Sequence, residues 1–143
     1  MPGWVNSMNR MALFERLRKR VDKENRVNLL LSSKDPNLSD YFNAIGSAGS
    51  THMEEDGKIY VKIHDAGGAS FPTWLEEMAH AQQFLSQGHV PFSCDHLDRR
   101  QRELEVANCI LGRADASRLQ LNEIDRAHYT NARIVYRVDD VRN

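Results

Sequence analysis

The chain has 143 residues and a formal net charge of −1, with hydrophobic and charged fractions of 41% and 27%. This length suits a single domain over residues 1–143, the composition excludes general disorder, and the charge gives no broad attraction for nucleic acid. The two cysteines, Cys94 and Cys109, are too few for a disulfide-dense scaffold. We therefore expect both to be free thiols in a reducing compartment.

The sequence also lacks the features of a membrane or export segment. No run approaches the roughly 18 apolar residues that are needed to span a bilayer. The first residues do not combine a basic segment with an apolar one, as a signal peptide does. We expect no export signal in the chain itself, no membrane association and no nucleic-acid partner.

The first half of the chain has one helix pattern and two strand patterns. From residue 7 to about residue 23, apolar residues recur at helical spacing, which predicts an amphipathic helix with a basic outer face. The apolar run at residues 27–32 ends in a turn and predicts a strand. Alternating apolar and polar residues at 58–64 predict another strand. We expect both strands in one small sheet, and the small residues at 46–50 favour a mobile loop between them.

The second half of the chain is mainly helical in pattern. One helix is predicted from about residue 97 to 111, closed by Gly112, and a last helix from near Asn122. The segment at residues 89–96 holds two histidines and Cys94, which could form a separate zinc site. Its spacing matches no recognised Cys/His pattern, so we interpret these residues as ordinary loop residues.

Residues 73–84 form a predicted helix that carries the pattern Glu76-Glu77-x-x-His80. Successive helical residues turn by about 100°, so Glu76 and Glu77 fall on either side of His80 and the three polar groups converge. A different, apolar face should fix the helix in a core; its members are Trp74, Met78, Ala81 and Leu85. The polar groups would therefore stand on a rigid element.

Two residues compete to cap the start of this helix. Thr73 and Glu76 match the capping-box pattern, which would turn the Glu76 side chain toward the backbone and away from a metal. Pro72 suits the first turn of a helix and favours Ser70 as the cap instead. We predict Ser70, which leaves Glu76 available as a ligand.

The pattern differs by one residue from H-E-x-x-H, in which two histidines bind zinc and the glutamate is the general base. A carboxylate oxygen is also a zinc ligand, so Glu76 and His80 could bind a metal while Glu77 acts as the base. The alternative is an exposed helix pair between Glu76 and His80, worth a few tenths of a kcal/mol. The motif alone favours this alternative.

A further carboxylate is expected to face the interior from the next helix. Helical spacing turns Glu103 toward the packed side and Glu105 away from it. A carboxylate that faces a core needs a partner, because burying an unpaired charge is costly. That partner is either a metal ion or a nearby arginine, for which the candidates are Arg99, Arg100 and Arg102.

These two helices together present the pattern Glu76-Glu77-x-x-His80-Ala81-x-Gln83 followed by Arg102-Glu103. With the preceding strand and glycine-containing linker, this pattern resembles the zincin-like metallopeptidase toxin domains of bacterial polymorphic toxins, over roughly residues 59–111. The resemblance implies that Glu76 and His80 are metal ligands, that Glu103 matches the glutamate of the following helix and that Glu77 is the catalytic base. It implies an α+β fold, with a small sheet packed with several helices around a zincin-like active-site helix.

The function implied by the resemblance is that of a metal-dependent hydrolase, a zinc metallopeptidase with a protein or peptide substrate. Such a domain would be delivered as part of a larger secreted toxin, act in the cytoplasm of a target cell and have a cognate immunity protein as a partner. Two other interpretations stay open. One is a catalytically inactive zincin-like module that binds protein. The other is a toxin in which Glu76, Glu77 and His80 act as acid and base without metal.

Overall fold

One three-stranded sheet and five helices make up the described part of the chain, residues 7–87, 96–116 and 121–141 of a computed structural model. The α+β class predicted from the sequence is confirmed. Contacts divide the chain into two compact units, Met1–Val90 and Pro91–Asn143. The expectation of a single domain over residues 1–143 stays a prediction.

The first unit contains three helices and all three strands. The helices are α1 at Ser7–Val21, α2 at Pro36–Ile45 and α3 at Phe71–Gln87. The strands are β1 at Val27–Leu31, β2 at Gly49–Met53 and β3 at Ile59–Ile63. The predicted first helix and both predicted strands are therefore confirmed, with small shifts at their ends.

The central strand of the sheet is β3, in the order β1-β3-β2. It pairs in parallel with β1 and antiparallel with β2. Ile59, Val61 and Ile63 are fully buried, whereas Tyr60 and Lys62 are half-buried. This alternation is the one that the sequence predicts, because successive side chains of a strand point to opposite faces.

The strand β2 corrects part of the loop predicted at residues 46–50, since residues 46–48 connect α2 to the strand but Gly49 and Ser50 belong to β2. The chain leaves α2 at Gly46, whose left-handed backbone conformation (φ 68°) suits glycine, and Gly49 already begins the strand. Gly49 pairs with Ile63 of β3. The small residues that suggested a loop are compatible with a strand here because α3 packs directly on β2.

The helix α3 packs on β2, β3 and α1. Its predicted apolar face lies in the core: Trp74 and Met78 are 3% and 5% exposed and Ala81 is fully buried. Burial of each large apolar side chain contributes about 1.5–3 kcal/mol to stability. The core that they share contains Phe14, Val27, Leu31, Met53, Ile59, Val61, Ile63 and Ala69. This packing fixes the direction in which the polar residues of α3 point.

Ser70 lies immediately before α3 and caps it. Its carbonyl oxygen accepts the Thr73 N–H at 3.0 Å, and its hydroxyl oxygen lies 3.4 Å from the same nitrogen. The two hydroxyl groups of Ser70 and Thr73 are 3.0 Å apart. The prediction of Ser70 is confirmed, and the Thr73 N–H is bound by Ser70 in the manner of an N-cap.

The second unit contains α4 at His96–Asp115 and α5 at Glu123–Val141, which pack against each other. The prediction that Gly112 ends the fourth helix is wrong, because the helix continues to Asp115. Glycine inside a helix costs only about 1 kcal/mol relative to alanine, and the burial of Leu111 and Ala114 on either side outweighs that cost. Asn122 caps α5, since its Oδ1 accepts the Asp125 N–H at 2.7 Å.

Several predictions fall partly outside the described residues. Residues 88–95, with His89 and Cys94, are among these, and so is the side chain of His96. The other cysteine, Cys109, is an exposed free thiol, as predicted. Among the helices of the described ranges, none has the length and apolar character to cross a membrane.

Candidate metal and acid-base site

Three of the predicted site residues lie on α3, within one span of five residues. Glu76 and His80 are half-buried, and Glu77 is only 6% exposed. Residues four apart in a helix are neighbours on its surface, about 5–6 Å between Cβ atoms. The Glu76 carboxylate and the His80 imidazole therefore share one side of a helix whose apolar face is held in the core.

The imidazole of His80 is oriented by the side chain one turn further along α3. Its Nδ1 lies 3.0 Å from Oε1 of Gln83. An amide oxygen only accepts hydrogen bonds, so this contact is a hydrogen bond in the tautomer whose proton is on Nδ1. Metal-binding histidines are held in this way, with one ring nitrogen donating to a neighbour and the other facing the ion. The tautomer that this contact favours is the one that a ligand bound through Nε2 needs.

The carboxylate of Glu77 lies against β2. The Thr51 hydroxyl is 2.8 Å from Oε1 of Glu77 and 3.0 Å from the carbonyl oxygen of the same residue. Gly49 is in close contact with the Glu77 side chain, since a Cβ at Gly49 would be 3.0 Å from Cγ of Glu77 and 3.2 Å from its Oε2. Sequence reasoning missed both residues, because Gly49 was assigned to a loop and Thr51 was given no secondary structure.

Glu103 belongs to α4 in the second unit. It is half-buried there while Glu105 is exposed, so the predicted directions of the two side chains are confirmed. The role of Glu103 as a ligand beside Glu76 and His80 rests on the sequence argument and the resemblance, and it stays a prediction. An imidazole nitrogen and carboxylate oxygens are ligand types that zinc binds.

A second polar cluster, which the sequence did not indicate, surrounds His64 at the end of β3. His64 is 7% exposed, and its Nδ1 and Nε2 lie 2.8 Å from Ser32 Oγ and from Asn43 Oδ1. The ring stacks on Phe42 with the centroids 5.4 Å apart. The cluster links the end of β1, α2 and the end of β3, and both ring nitrogens are satisfied, as buried polar groups require.

Asp65 adjoins this cluster and begins the segment that leads into α3. Burial raises the pKa of its carboxyl, but hydrogen bonds from Ser33, Ser32 and Ala66 outweigh burial and hold the pKa below its ordinary value. The backbone N–H groups of Ser33 and Ala66 lie 2.8 Å and 3.1 Å from Oδ1. The ionised carboxylate therefore ties the 3₁₀ turn at Ser32–Lys34 to the linker before the motif helix.

The linker before α3 is also bound from α1. Arg10 donates through a guanidinium nitrogen to the carbonyl oxygen of Ala69 at 2.6 Å. Partial burial lowers the pKa of this guanidinium. The start of α3 is therefore held on one side by Arg10 and on the other by the Asp65 hydrogen bonds, which limits movement of the helix that carries Glu76 and His80.

Comparison of the chain with protein-family models, with curated proteins and with solved structures finds no match to any of them. The resemblance to zincin-like toxin domains therefore stays a prediction that rests on the motif residues. The donor atoms and hydrogen bonds of those residues are the physical basis for a function.

Proposed function

We propose that the chain is a metal-dependent hydrolase, a metallopeptidase that binds one zinc or similar divalent ion through Glu76, His80 and Glu103. The observation that carries the proposal is the 3.0 Å contact between Nδ1 of His80 and Oε1 of Gln83, one helical turn from Glu76, since metal-binding histidines hold a neighbour in this way through the nitrogen that does not face the ion. Glu103 is the third ligand by the sequence argument and the resemblance. The ion would supply Lewis acidity, polarising a substrate carbonyl and acidifying water.

In this proposal Glu77 is the general base. Its carboxylate is held by the Thr51 hydroxyl and stands on the same helix as two of the ligands, next to Glu76 in the chain. It would take a proton from the attacking water and pass it to the leaving amine. Because Glu77 stands on a helix packed into a core, its direction needs little reorganisation during the reaction.

The biological setting is proposed on the resemblance alone. The substrate would be a protein or peptide, and the domain would be the effector of a larger secreted bacterial toxin that acts in the cytoplasm of a target cell. A cognate immunity protein would be its partner in the producing cell. Membrane and nucleic acid are not part of the proposal.

The test is hydrolysis of casein by the chain before chelation, after chelation and after zinc is added back. We expect turnover to disappear with chelation and to return with zinc. Glu77→Gln keeps the volume and the ability to accept the Thr51 hydrogen bond but cannot accept a proton, so turnover should fall about 10²- to 10⁴-fold while bound metal stays the same. Turnover that survives chelation, or metal binding without turnover in the parent chain, would contradict the proposal.

A further inference from the structure

We infer that Thr51 and Gly49 of β2 are positioning residues that hold the Glu77 carboxylate in the orientation in which it acts as a base, an inference that rests on the function proposed above. Neither residue belongs to the motif on α3. Both lie on the strand that packs against that helix. Together they form a seat for one side chain, called the Glu77 seat below.

Thr51 restrains Glu77 at two points. Its hydroxyl oxygen is 2.8 Å from Oε1 and 3.0 Å from the backbone carbonyl oxygen of Glu77. A hydroxyl has one proton, which the two oxygens share, and the shorter contact is the one to the carboxyl group. Contact with both ends of the same residue restricts rotation of the glutamate side chain. Threonine is suited to this role because its χ1 angle has few allowed values.

Gly49 supplies the space that the side chain of Glu77 occupies. A Cβ at this position would lie 3.0 Å from Cγ of Glu77, 3.2 Å from its Oε2 and 3.2 Å from the carbonyl oxygen of Lys62. Gly49 is not among the glycines with positive φ, so its backbone does not itself require glycine. The missing side chain therefore serves the close approach of Glu77 to the strand.

The Glu77 seat is built on the rigid part of the sheet. Gly49 and Thr51 are two apart in β2 and so point to the same face, while Ser50 points to the other. They pair with Ile63 and Val61 of the central strand, both of which are fully buried. Because Gly49 and Thr51 lie on the same face of a strand that is paired with β3, together they fix where the Glu77 carboxylate lies and which way it points.

A carboxylate at this position has a cost that packing alone would not require. Glu77 is 6% exposed, and taking a charged group out of water is unfavourable unless hydrogen bonds compensate. An apolar side chain of similar volume would fill the same space without that desolvation penalty. The arrangement of Thr51 and Gly49 around a charged group is thus explained by the chemistry of the carboxylate rather than by core packing.

The first measurement separates kcat from KM for casein hydrolysis by the zinc-loaded chain. Thr51→Val keeps the shape of the side chain and removes the donor, and we expect kcat to fall about 10²-fold with KM unchanged, since small misplacements of a catalytic group have effects of this size. Thr51→Ser restores the hydroxyl and should recover kcat. Gly49→Ala should lower kcat by displacing Glu77, and Ser50→Ala, on the other face of β2, is the matched control that should behave as the parent.

The second measurement needs no activity. In the chelator-treated chain, Thr51→Val should lower the melting temperature by about 3 °C or more, because the buried carboxyl group of Glu77 loses the hydrogen bond from the Thr51 hydroxyl. In a Glu77→Met background the same change should have little effect, which would show that the two side chains act on each other.

The outcomes distinguish this inference from the proposed function. If Thr51→Val has the same turnover as the parent, the inference is wrong and the proposed function stands. The same holds if Thr51→Ser does not recover the turnover that Thr51→Val loses. Equal melting-temperature losses in the two backgrounds would also overturn the inference, since the contact would then be absent. A parent chain with no zinc-dependent turnover would overturn the proposed function and the inference with it.

Discussion

The side-chain oxygen of Gln83 lies 3.0 Å from Nδ1 of His80, one turn further along the same helix, and accepts a hydrogen bond from that nitrogen when it carries the proton. The hydrogen bond favours one tautomer of His80 and one rotation of its ring. That tautomer leaves Nε2 as the nitrogen with a lone pair, on the side of α3 that also carries Glu76. This contact is the one expected of a histidine that binds a metal through Nε2, the role proposed for His80.

Gln83→Ala should weaken zinc affinity about 10-fold or more while the chain stays folded, because partners of metal-binding histidines typically contribute 10- to 100-fold. Gln82→Ala is the matched control, since Gln82 is exposed on the same helix. Competition titration against a chromophoric zinc chelator measures both. Equal affinities for the two variants would show that the hydrogen bond does not support a ligand.

Glu103→Gln should lower zinc affinity, because an amide is a poorer zinc ligand than a carboxylate and one negative charge is lost. Glu105→Gln is the control on the same helix: Glu103 is half-buried, whereas Glu105 is exposed. Competition titration measures the zinc affinity of both variants. If Glu103→Gln and Glu105→Gln have the same zinc affinity, Glu103 is not a ligand and its partner is another group.

Asp65→Asn should reduce the free energy of unfolding by about 1–3 kcal/mol near pH 7, since its hydrogen-bond donors lose a charged acceptor. Burial raises the pKa of Asp65, but the hydrogen bonds lower it more, so the folded pKa is depressed. A depressed folded pKa gives stability that is present above the unfolded value of about 3.9 and is lost as the pH falls through the folded value.

Urea unfolding of the parent and of Asp65→Asn at several pH values between 2 and 7 measures this effect. The difference between the two proteins should be constant above about pH 5 and should shrink below about pH 4. Asp40→Asn, at an exposed position of α2, is the control and should change stability little. A difference that keeps its size down to pH 2 would show that the carboxylate charge is not what stabilises the linker.

Two glycine substitutions should have opposite effects on stability. A Cβ at Gly67 would overlap the imidazole ring of His64, which is buried and bound on both nitrogens. Gly67→Ala should therefore destabilise the fold by about 1–3 kcal/mol. A Cβ at Gly112 would meet nothing within 4 Å, so Gly112→Ala should stabilise α4 by about 0.5–1 kcal/mol. Thermal unfolding measures both effects. A Gly67→Ala protein that is as stable as the parent would contradict the contact described with His64, and a destabilised Gly112→Ala protein would contradict the open space described at Gly112.

The sequence predicted those elements whose signals are local. The strand β3 was identified because Ile59, Val61 and Ile63 alternate with polar residues, and α3 because its apolar face has a helical period. The pairing of Glu76 with His80 on one side of α3 follows from the same period. These features need no knowledge of the remaining chain.

The features that sequence reasoning missed are those that depend on tertiary contacts. The start of β2 was assigned to a loop because Gly49 and Ser50 are small, yet Gly49 leaves the space in which Glu77 packs on the strand. The burial of Glu77 was missed for the same reason, since nothing in α3 indicates that Thr51 lies opposite. Gly112 was interpreted as a helix end, although burial of its neighbours decides that the helix continues.

Zinc titration of the chelator-treated chain by calorimetry tests whether Glu76 and His80 are ligands of one ion. We expect one site per chain in the parent and in Glu77→Gln, weaker binding in Glu76→Gln and loss of the site in His80→Ala, with all four proteins folded by circular dichroism. A His80→Ala chain that binds zinc with the stoichiometry and affinity of the parent would contradict this expectation.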